Sequence, residues 1–352
     1  MPVTTTYPGV YIEEVSSLSL SISSGATAVP VFPYAKADAG TALTGSVRIS
    51  SWLGFIRLVD EFKPDNVLHI ALRTYFENGG GYCYLVPVED LVAEVPKLDD
   101  VTLLVAAGQD ISSAVSTLCQ SGAGLFAILD GPTKELTSTL ENLGYAANPF
   151  CAVYYPWLTA DWTEKPIPPS APVCGAYSVV DRNEGVWKAP ANVALQGGLT
   201  PQFRVTDEVQ GVYNTGLAVN MIRIFPGTGT TIWGGRTLDD SDDWRYVSVR
   251  RLFNAAERDI KQAMSSAVFE PNSQPTWERV RSAIESYLFG IWRRGGLAGQ
   301  KETDAYFVQI GKDVTMTDDD IAQGKMIVQV GMAAVRPAEF IILQFTQNVG
   351  MA

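Results

Sequence analysis

The residue types that usually carry chemistry are present, but at spacings that do not suit it. The glycine-rich run from Gly227 to Arg236 is the segment most like a phosphate-cradling loop. It has no Lys-Ser/Thr pair to reach phosphate and magnesium, and its glycines do not fall as GxGxxG, so it reads as a structural loop. Gly79, Gly80 and Gly81 follow a helical pattern and precede a strand, the reverse of dinucleotide-binding order, and read as a helix C-cap. The one histidine, His69, leaves little scope for His-based metal sites or His-dependent triads, and no GxSxG elbow occurs. Cys83, Cys119, Cys151 and Cys174 form no CxxC pair and read as buried thiols. The acids of Asp239–Asp243 and Asp318–Asp320 lack the alternating ligands and distal glutamate of a calcium loop, and read as turns or a helix start. Trp157 and Trp162, beside Asp161 and Glu164, admit two readings: an α/β carbohydrate-active enzyme with paired carboxylates, or aromatic packing beneath a loop. No catalytic residue, cofactor or metal site is expected.

The composition sets the scale of what must position any site. The 352 residues are 46% apolar and 18% charged, enough for a sizeable core and about two domains. A formal charge of −12 argues against a nucleic-acid partner, which requires surplus Lys and Arg. Apolar stretches such as Val101–Ala107 fall far short of a membrane span. The first basic residue is Lys36, and Glu13 and Glu14 lie where a signal peptide would be apolar. The expectation is a soluble protein made in the cytoplasm.

Along the chain, residues 21–34 are rich in Ser, Ala and Pro and read as a linker. From about residue 47 the pattern is mixed α/β. Val67–Asn78 is a helix and Tyr82–Val88 a strand. Val101–Ala106, Leu125–Leu129 and Phe150–Tyr155 are further strands, with a helix over Ile111–Gln120, which suggests βαβ units and parallel pairing. Pro166 to Pro169 reads as rigid surface chain, and 185–240 as loops with short strands. The character changes at Trp244. Val249, Leu252, Phe253, Ala256, Ile260 and Met264 trace one helical face, and Trp277, Val280, Ile284, Tyr287, Leu288 and Ile291 a second. The second helix has Pro275 at its start and Arg293, Arg294, Gly295 and Gly296 at its end, the polarity a helix dipole favours. Strands follow near Tyr306–Ile310 and Met326–Val335.

Two features point toward assembly. Trp244–Lys301 carries ten Lys/Arg against five Asp/Glu, a segment charge of +5 against −17 for the rest. Arg279 and Arg293 fall on the polar side of the second helix, and the face is either simply solvated or docks on an acidic partner. Val10–Val15 and Phe340–Phe345 are short, apolar and β-prone, and such strands must complete a sheet. They pair within their own chain or add to a neighbour's sheet edge, and head-to-tail donation generates an open helical assembly.

At these residues the sequence resembles the contractile tail-sheath family. Tyr7 to Glu14 looks like its opening motif, and Asn78 to Tyr84 like its first helix-to-strand junction. Asp243 to Phe253, with Pro271-Asn272, Thr276 to Arg281, Leu288 and Trp292-Arg293, resembles the start of its C-terminal domain, and Val330 to Ile342 its closing signature. Met332-Ala333-Ala334 departs from a Val-Ala-Pro-like run in phage sheaths. The compact size is most like the main sheath subunit of extracellular contractile injection systems of the antifeeding-prophage type. The resemblance implies a mixed α/β fold in four parts. These are an N-terminal arm over 1–20, an outer α/β domain over 21–235, an inner domain of two long helices and a small sheet over 236–335, and a C-terminal arm strand over 336–352. It implies stacked hexameric rings around an inner tube, contacts to baseplate and cap proteins, assembly in the cytoplasm and release in an extracellular particle, with no nucleic acid and no membrane insertion. A minor sheath paralogue at the baseplate or cap is the variant reading. The inter-subunit residues expected are Val10, Tyr11, Ile12, Glu13 and Val15 in the N-arm and Phe340, Ile341, Ile342, Leu343 and Phe345 in the C-arm. The tube-facing residues expected are Arg279, Arg281, Arg293 and Arg294.

Overall fold

The computed structural model describes residues 20–36 and 43–340. The first part of the body comprises β1 (Pro30–Tyr34), β2 (Val47–Ile49), α1 (Trp52–Val59), α2 (Val67–Glu77), β3 (Cys83–Pro87), α3 (Leu91–Glu94), β4 (Leu103–Val105), α4 (Ser112–Leu118) and β5 (Phe126–Asp130). It continues through β6 (Cys151–Tyr155), β7 (Leu158–Ala160), β8 (Thr163–Ile167), α5 (Ser170–Asn183), β9 (Val193–Ala194), β10 (Thr200–Pro201), α6 (Asp207–Tyr213), β11 (Val219–Phe225) and β12 (Gly229–Trp233). Then come α7 (Val247–Met264), α8 (Gln274–Arg293), α9 (Glu302–Ala305), β13 (Tyr306–Gln309), α10 (Asp318–Ala322) and β14 (Gln329–Met332).

Nine strands form one sheet in the order β2-β3-β1-β4-β5-β6-β11-β12-β9. The run from β3 to β11 is parallel, with antiparallel strands at both ends. Alternate residues enter opposite cores: Phe32, Leu103, Phe126 and Tyr154 meet α1, α2 and α5, while Val31, Leu104, Ala127 and Val153 meet α3, α4 and α6. A strand covered on both faces must be apolar on both, so these segments read as runs rather than alternations. Gly79, at φ 82°, ends α2, and the Gly80 amide returns to the Tyr75 carbonyl at 3.0 Å, the C-cap expected of the triple glycine.

Three segments differ from the sequence reading. The expected linker holds β1, a fully buried strand between β3 and β4. Its prolines are tolerated because Pro30 opens the strand, and Pro33 lies beyond the β4 ladder, which covers only Pro30 and Val31. The expected surface run is exposed only at Pro166. Ile167 closes β8 in the core, and the buried Pro169 sits at the N-cap of α5, where a missing N–H costs nothing. The expected loops contain α6 and the β11–β12 hairpin, including β11, at seven residues the longest strand described. Its polar Asn220 is buried because its amide bridges the Val153 and Arg236 carbonyls at 3.1 and 2.8 Å.

The helices α7 and α8, with β13 and β14, enclose a third core of Leu252, Ala256, Val280, Ile284, Leu288, Tyr306 and Val308. The other side of α7 meets the starts of the parallel strands through polar groups. Asn254 donates to the Leu125 carbonyl at 3.0 Å, and Arg250 lies 4.8 Å over the Phe150 ring and 4.0 Å over Trp244. Arg251 makes a two-point pair with Asp181 of α5 at 3.0 and 2.6 Å and donates to the Thr27 carbonyl at 3.0 Å. Both side chains are within 5% of fully buried. The basic surplus counted along this segment is therefore partly internal: Arg251 neutralises the buried Asp181, and Arg250, itself buried, pairs with the partly exposed Glu257, so neither guanidinium contributes surface.

His69 is buried, its ring edge-on to Phe55 at 4.9 Å and its Nδ1 accepting the Lys63 amide at 3.1 Å. Burial pushes the imidazole down to about 4, so on acidification the unfolded chain takes up the proton first. This contribution to stability is complete above the unfolded value near 6.5 and is lost as pH falls toward 4. Denaturant melts should show about 2 kcal/mol lost from this group between pH 7 and pH 5. His69→Gln, which keeps an acceptor but cannot charge, should flatten that slope.

Candidate inter-subunit site

The C-terminal ends of the strands, where parallel sheets usually hold ligands, are closed by the chain itself. Asp130 at the end of β5 accepts the Gly108 and Ser170 amides, each at 2.8 Å, while Ser170 Oγ accepts the Ala107 amide at 2.8 Å. These are the amides that could cradle a phosphate, and an internal carboxylate occupies them. Burial raises the Asp130 carboxyl, and the two amides oppose that rise. At the Trp-carboxylate cluster, Trp162 lies 4.0 Å under Arg73 and Trp157 donates to the Gly131 carbonyl at 2.8 Å, while Asp161 in the β7–β8 turn and Glu164 in β8 stand exposed. This is aromatic packing. The four cysteines are free and buried. Asp318–Asp320 form the first turn of α10, closed by a capping box with Thr317, and Arg245 pairs with Asp240 and Asp242 at 2.9 and 3.2 Å.

The two-stranded sheet of β13 and β14 is different in kind. Its register pairs Tyr306 with Met332 and Val308 with Val330, all facing the third core, and Phe307 with Gly331 on the outer face. The ring of Phe307, 48% exposed, lies over Gly331, where a β-carbon would approach to 2.1 Å. Among the described residues no further strand joins either side, so each strand keeps one unpaired edge. Two strands alone are marginally stable in water, and bare edges recruit partners.

The first described residues pack on α7 and α8, which enclose the same core as this sheet, and the last described residues continue from β14. At the N-terminal side, Leu20 and Ile22 pack on the third core, and the Gly25 amide lies 3.3 Å from both carboxylate oxygens of Asp259. The buried Tyr287 hydroxyl also donates to Asp259, at 2.9 Å. Leu20–Ile22 wall a hollow of about 530 Å³ with Glu278, Arg279 and Ser282 of α8. At the C-terminal side, the Ala298 amide donates to the Ala333 carbonyl at 2.7 Å and the Val335 amide to Gly296 at 3.3 Å. Beyond these, Arg236, 6% exposed, holds Glu339: its Nε is 3.0 Å from both carboxylate oxygens and its Nη2 2.5 Å from one. Tyr246 adds its hydroxyl at 3.4 Å, and Arg236 Nη1 donates to the Asn214 carbonyl. The segment 335–340 thereby forms one wall of a cleft of about 1120 Å³, opposite Trp187, Trp233 and Arg223.

The helix α8 that carries the sheet ends in a Schellman motif. Gly295 at φ 83° donates to Trp292 at 2.8 Å, and Gly296 donates to Ile291 at 3.0 Å. The four expected cations do not form one patch. Arg279 is half-buried against Thr276 and Glu270 at 3.3 and 3.7 Å. Arg281 is drawn to Glu278 at 3.1 Å and to the Ile310 carbonyl at 2.6 Å. Arg293 and Arg294 are exposed, the latter 4.9 Å over Trp187. Of the expected arm residues, Phe340 is described and 71% exposed. Val10, Tyr11, Ile12, Glu13, Val15, Ile341, Ile342, Leu343 and Phe345 lie outside the described residues. Sequence reasoning missed the Arg236–Glu339 clamp, whose members are 103 positions apart with no pattern to join them. Glu339→Ala should release the segment from the body. Exchange of the Val335 amide, which donates to the Gly296 carbonyl, is expected to quicken by about tenfold or more, since a charged hydrogen-bonded pair contributes roughly 1.5–3 kcal/mol.

Residues 239–348 match the family described as phage tail sheath C-terminal domain. Over 99% of both chains, the protein is 60% identical to a chain of the PVC sheath complex of an extracellular contractile injection system in the contracted state, with a TM-score of 0.91. It is 48% identical, with a TM-score of 0.90, to a chain of the contracted anti-feeding prophage (AFP) baseplate, over 98% of this chain and 100% of that one. To a chain of the contracted AFP helical sheath it is 43% identical, with a TM-score of 0.80 over the same shares. It is also 25% identical over 135 residues, 37% of this chain, to the tail sheath protein of Vibrio phage KVP40, of whose length it spans 20%. Open sheet edges, chain ends rooted on the same core and identity along nearly the whole length agree: the chain belongs to the contractile tail-sheath family, as a structural sheath subunit of the extracellular contractile injection system type.

Proposed function

We propose that this subunit polymerises by strand exchange into stacked hexameric rings around an inner tube, and that the polymer shortens to drive the tube through a target envelope. The observation that carries this is the pair of unpaired edges on β13 and β14, with both chain ends rooted on the same small domain. Residues 10–15 and 340–345 are β-prone and long enough to fill those edges. Each added backbone hydrogen bond contributes roughly 0.5–1.5 kcal/mol, so a four-residue arm strand is individually modest and collectively large. The division into an outer domain over 21–235, an inner domain over 236–335 and arms at 1–20 and 336–352 is part of the same reading. The buried Arg251–Asp181 pair and the Asn254 bond support motion of the body and the helices as one unit, with bending left to the arms.

In this reading the work of shortening comes from new contacts between subunits and not from catalysis, which accords with the internal use of the Gly108 and Ser170 amides. Baseplate and cap proteins are the terminal partners. The subunit is made and assembled in the cytoplasm and leaves it within an extracellular particle. A second reading, a sheath paralogue placed at the baseplate, is favoured by the relative found in the contracted AFP baseplate. Electron microscopy of labelled particles separates the two: labels along the whole length support the main subunit, labels at one end the paralogue.

Deleting residues 1–15 should leave a folded subunit, with an unchanged cooperative melt, that no longer yields sedimentable tubes; normal tubes would refute strand exchange by the N-arm. For tube docking, reversal of both Arg279 and Arg293 to Glu should weaken co-assembly with the inner tube while spontaneous sheath polymers persist. Undiminished co-assembly would remove α8 as the docking face.

A further inference from the structure

The two outer edges of the β13–β14 sheet are not alike. The Ala333 amide donates to the Ala305 carbonyl at 2.8 Å, which fixes the phase of the antiparallel ladder. Phe307 and Gln309 therefore turn their backbone groups toward β14, and Tyr306, Val308 and Ile310 turn theirs outward. On β14, Leu297 bridges Ala334 where β13 has already ended, so the inner side stays covered. The outer edge runs on through Val330, Met332 and Ala334, and among the described residues no hydrogen bond closes it.

The β13 edge is closed at both ends. At its start the Tyr306 amide donates to the Glu302 carbonyl, the last bond of α9. At its finish Arg281 Nη2 donates to the Ile310 carbonyl at 2.6 Å. Glu278, one turn earlier on α8, steadies the same guanidinium, both carboxylate oxygens lying 3.1 Å from Nη1. The Ile310 side chain is buried in the third core with Tyr306 and Val308, so its carbonyl lies on the line of the edge. Between these stops remain the Tyr306 carbonyl, both groups of Val308 and the Ile310 amide.

A bounded slot answers a problem that side-chain alternation leaves open. A one-residue slip turns a strand's buried side chains outward and is penalised, whereas a two-residue slip keeps every side chain on its face. Ile341, Leu343 and Phe345 place apolar residues at that spacing, as do Val10 and Ile12, so neither arm sequence resists such a slip. Resistance must come from the acceptor. A strand running past Ile310 would displace a charged donor from its carbonyl, and charge-assisted hydrogen bonds are roughly twice as strong as neutral ones.

We infer that Arg281 is a positioning residue for assembly: it ends the β13 edge at Ile310 and thereby sets the register of a strand added there by another copy. The inference rests on the strand-exchange reading, and it assigns Arg281 to pairing register and not to the inner tube.

The test uses the full chain carrying a photoreactive benzophenone amino acid at Gln309, which is exposed on the outer face of β13 beside the stop. These subunits are co-assembled into sheath with isotope-labelled unmodified subunits and irradiated, and mass spectrometry locates the residue joined to position 309. With Arg281 in place, the product should fall on one residue of an arm from another copy. Arg281→Met keeps the stem and removes the donors, and it should add a second product two residues along the same arm. The ratio of in-register to slipped product should fall about tenfold, as expected when a charged hydrogen bond is lost. Arg281→Lys, which restores a charged donor, should return the single product, and dispersed Arg281→Met should melt with the parent. Arg281→Met sheath that gives the parent's single product would overturn the stop and leave strand exchange standing. A lowered melt with an unchanged product would do the same, making Arg281 a support for α8 alone. Parent sheath cross-linked at no arm residue of another copy would overturn strand addition at β13, and the stop with it.

Discussion

Backbone amides and carbonyls on the outer edges of β13 and β14 need partners, and much of the molecule's organisation follows from that need. The sheet they form is too small to stand alone, so α8 supports its inner face with Val280, Ile284 and Leu288. Its outer edges are bare among the described residues, whereas the nine-stranded sheet ends in short strands, β2 with three residues and β9 with two. Short edges are poor templates for pairing. The large sheet is thereby blunted against association, while the two-stranded sheet and the three-stranded sheet of β10, β7 and β8 keep open edges among the described residues.

The remaining architecture keeps the two-stranded sheet fixed relative to the bulk. The α7 helix joins the small sheet's domain to the strand starts of the body through Arg250, Arg251 and Asn254, each with its hydrogen bonds met. Buried charges with paired geometry contribute little net stability but penalise misalignment strongly. A joint of this type holds orientation. The clamp of Arg236 on Glu339 does the same for the outgoing C-terminal segment, setting where it leaves the body before any neighbour is met. Phe269, at the corner between α7 and α8, combines a positive φ with a fully exposed ring.

How much of this is legible in the sequence varies with the range of the interaction. The α8 helix is legible nearly to the residue, because Pro275, the apolar face and Gly295-Gly296 are local signals. The parallel strands are legible as apolar runs. The β1 strand is hidden by Pro30 and Pro33, whose tolerance depends on where the β4 ladder stops. The β11 strand is hidden by its polar surroundings and by Asn220, whose burial is satisfied only by groups brought in by the fold. A surplus of basic residues is visible as a count, but whether a guanidinium faces water or Asp181 is decided by tertiary contacts. The Arg236–Glu339 clamp and the cleft it walls have no local signature at all. The resemblance to sheath proteins reached the function because its motifs are spread along the chain, not because any one residue performs chemistry.

The central claim is that β13 and β14 acquire strands from other copies. Amide hydrogen exchange at residues 306–309 and 329–332, compared between dispersed subunits and assembled sheath, tests it most directly. Strand addition predicts slowing on the order of 100-fold at edge amides of both strands on assembly. Unchanged exchange on both edges in well-formed sheath would contradict the account.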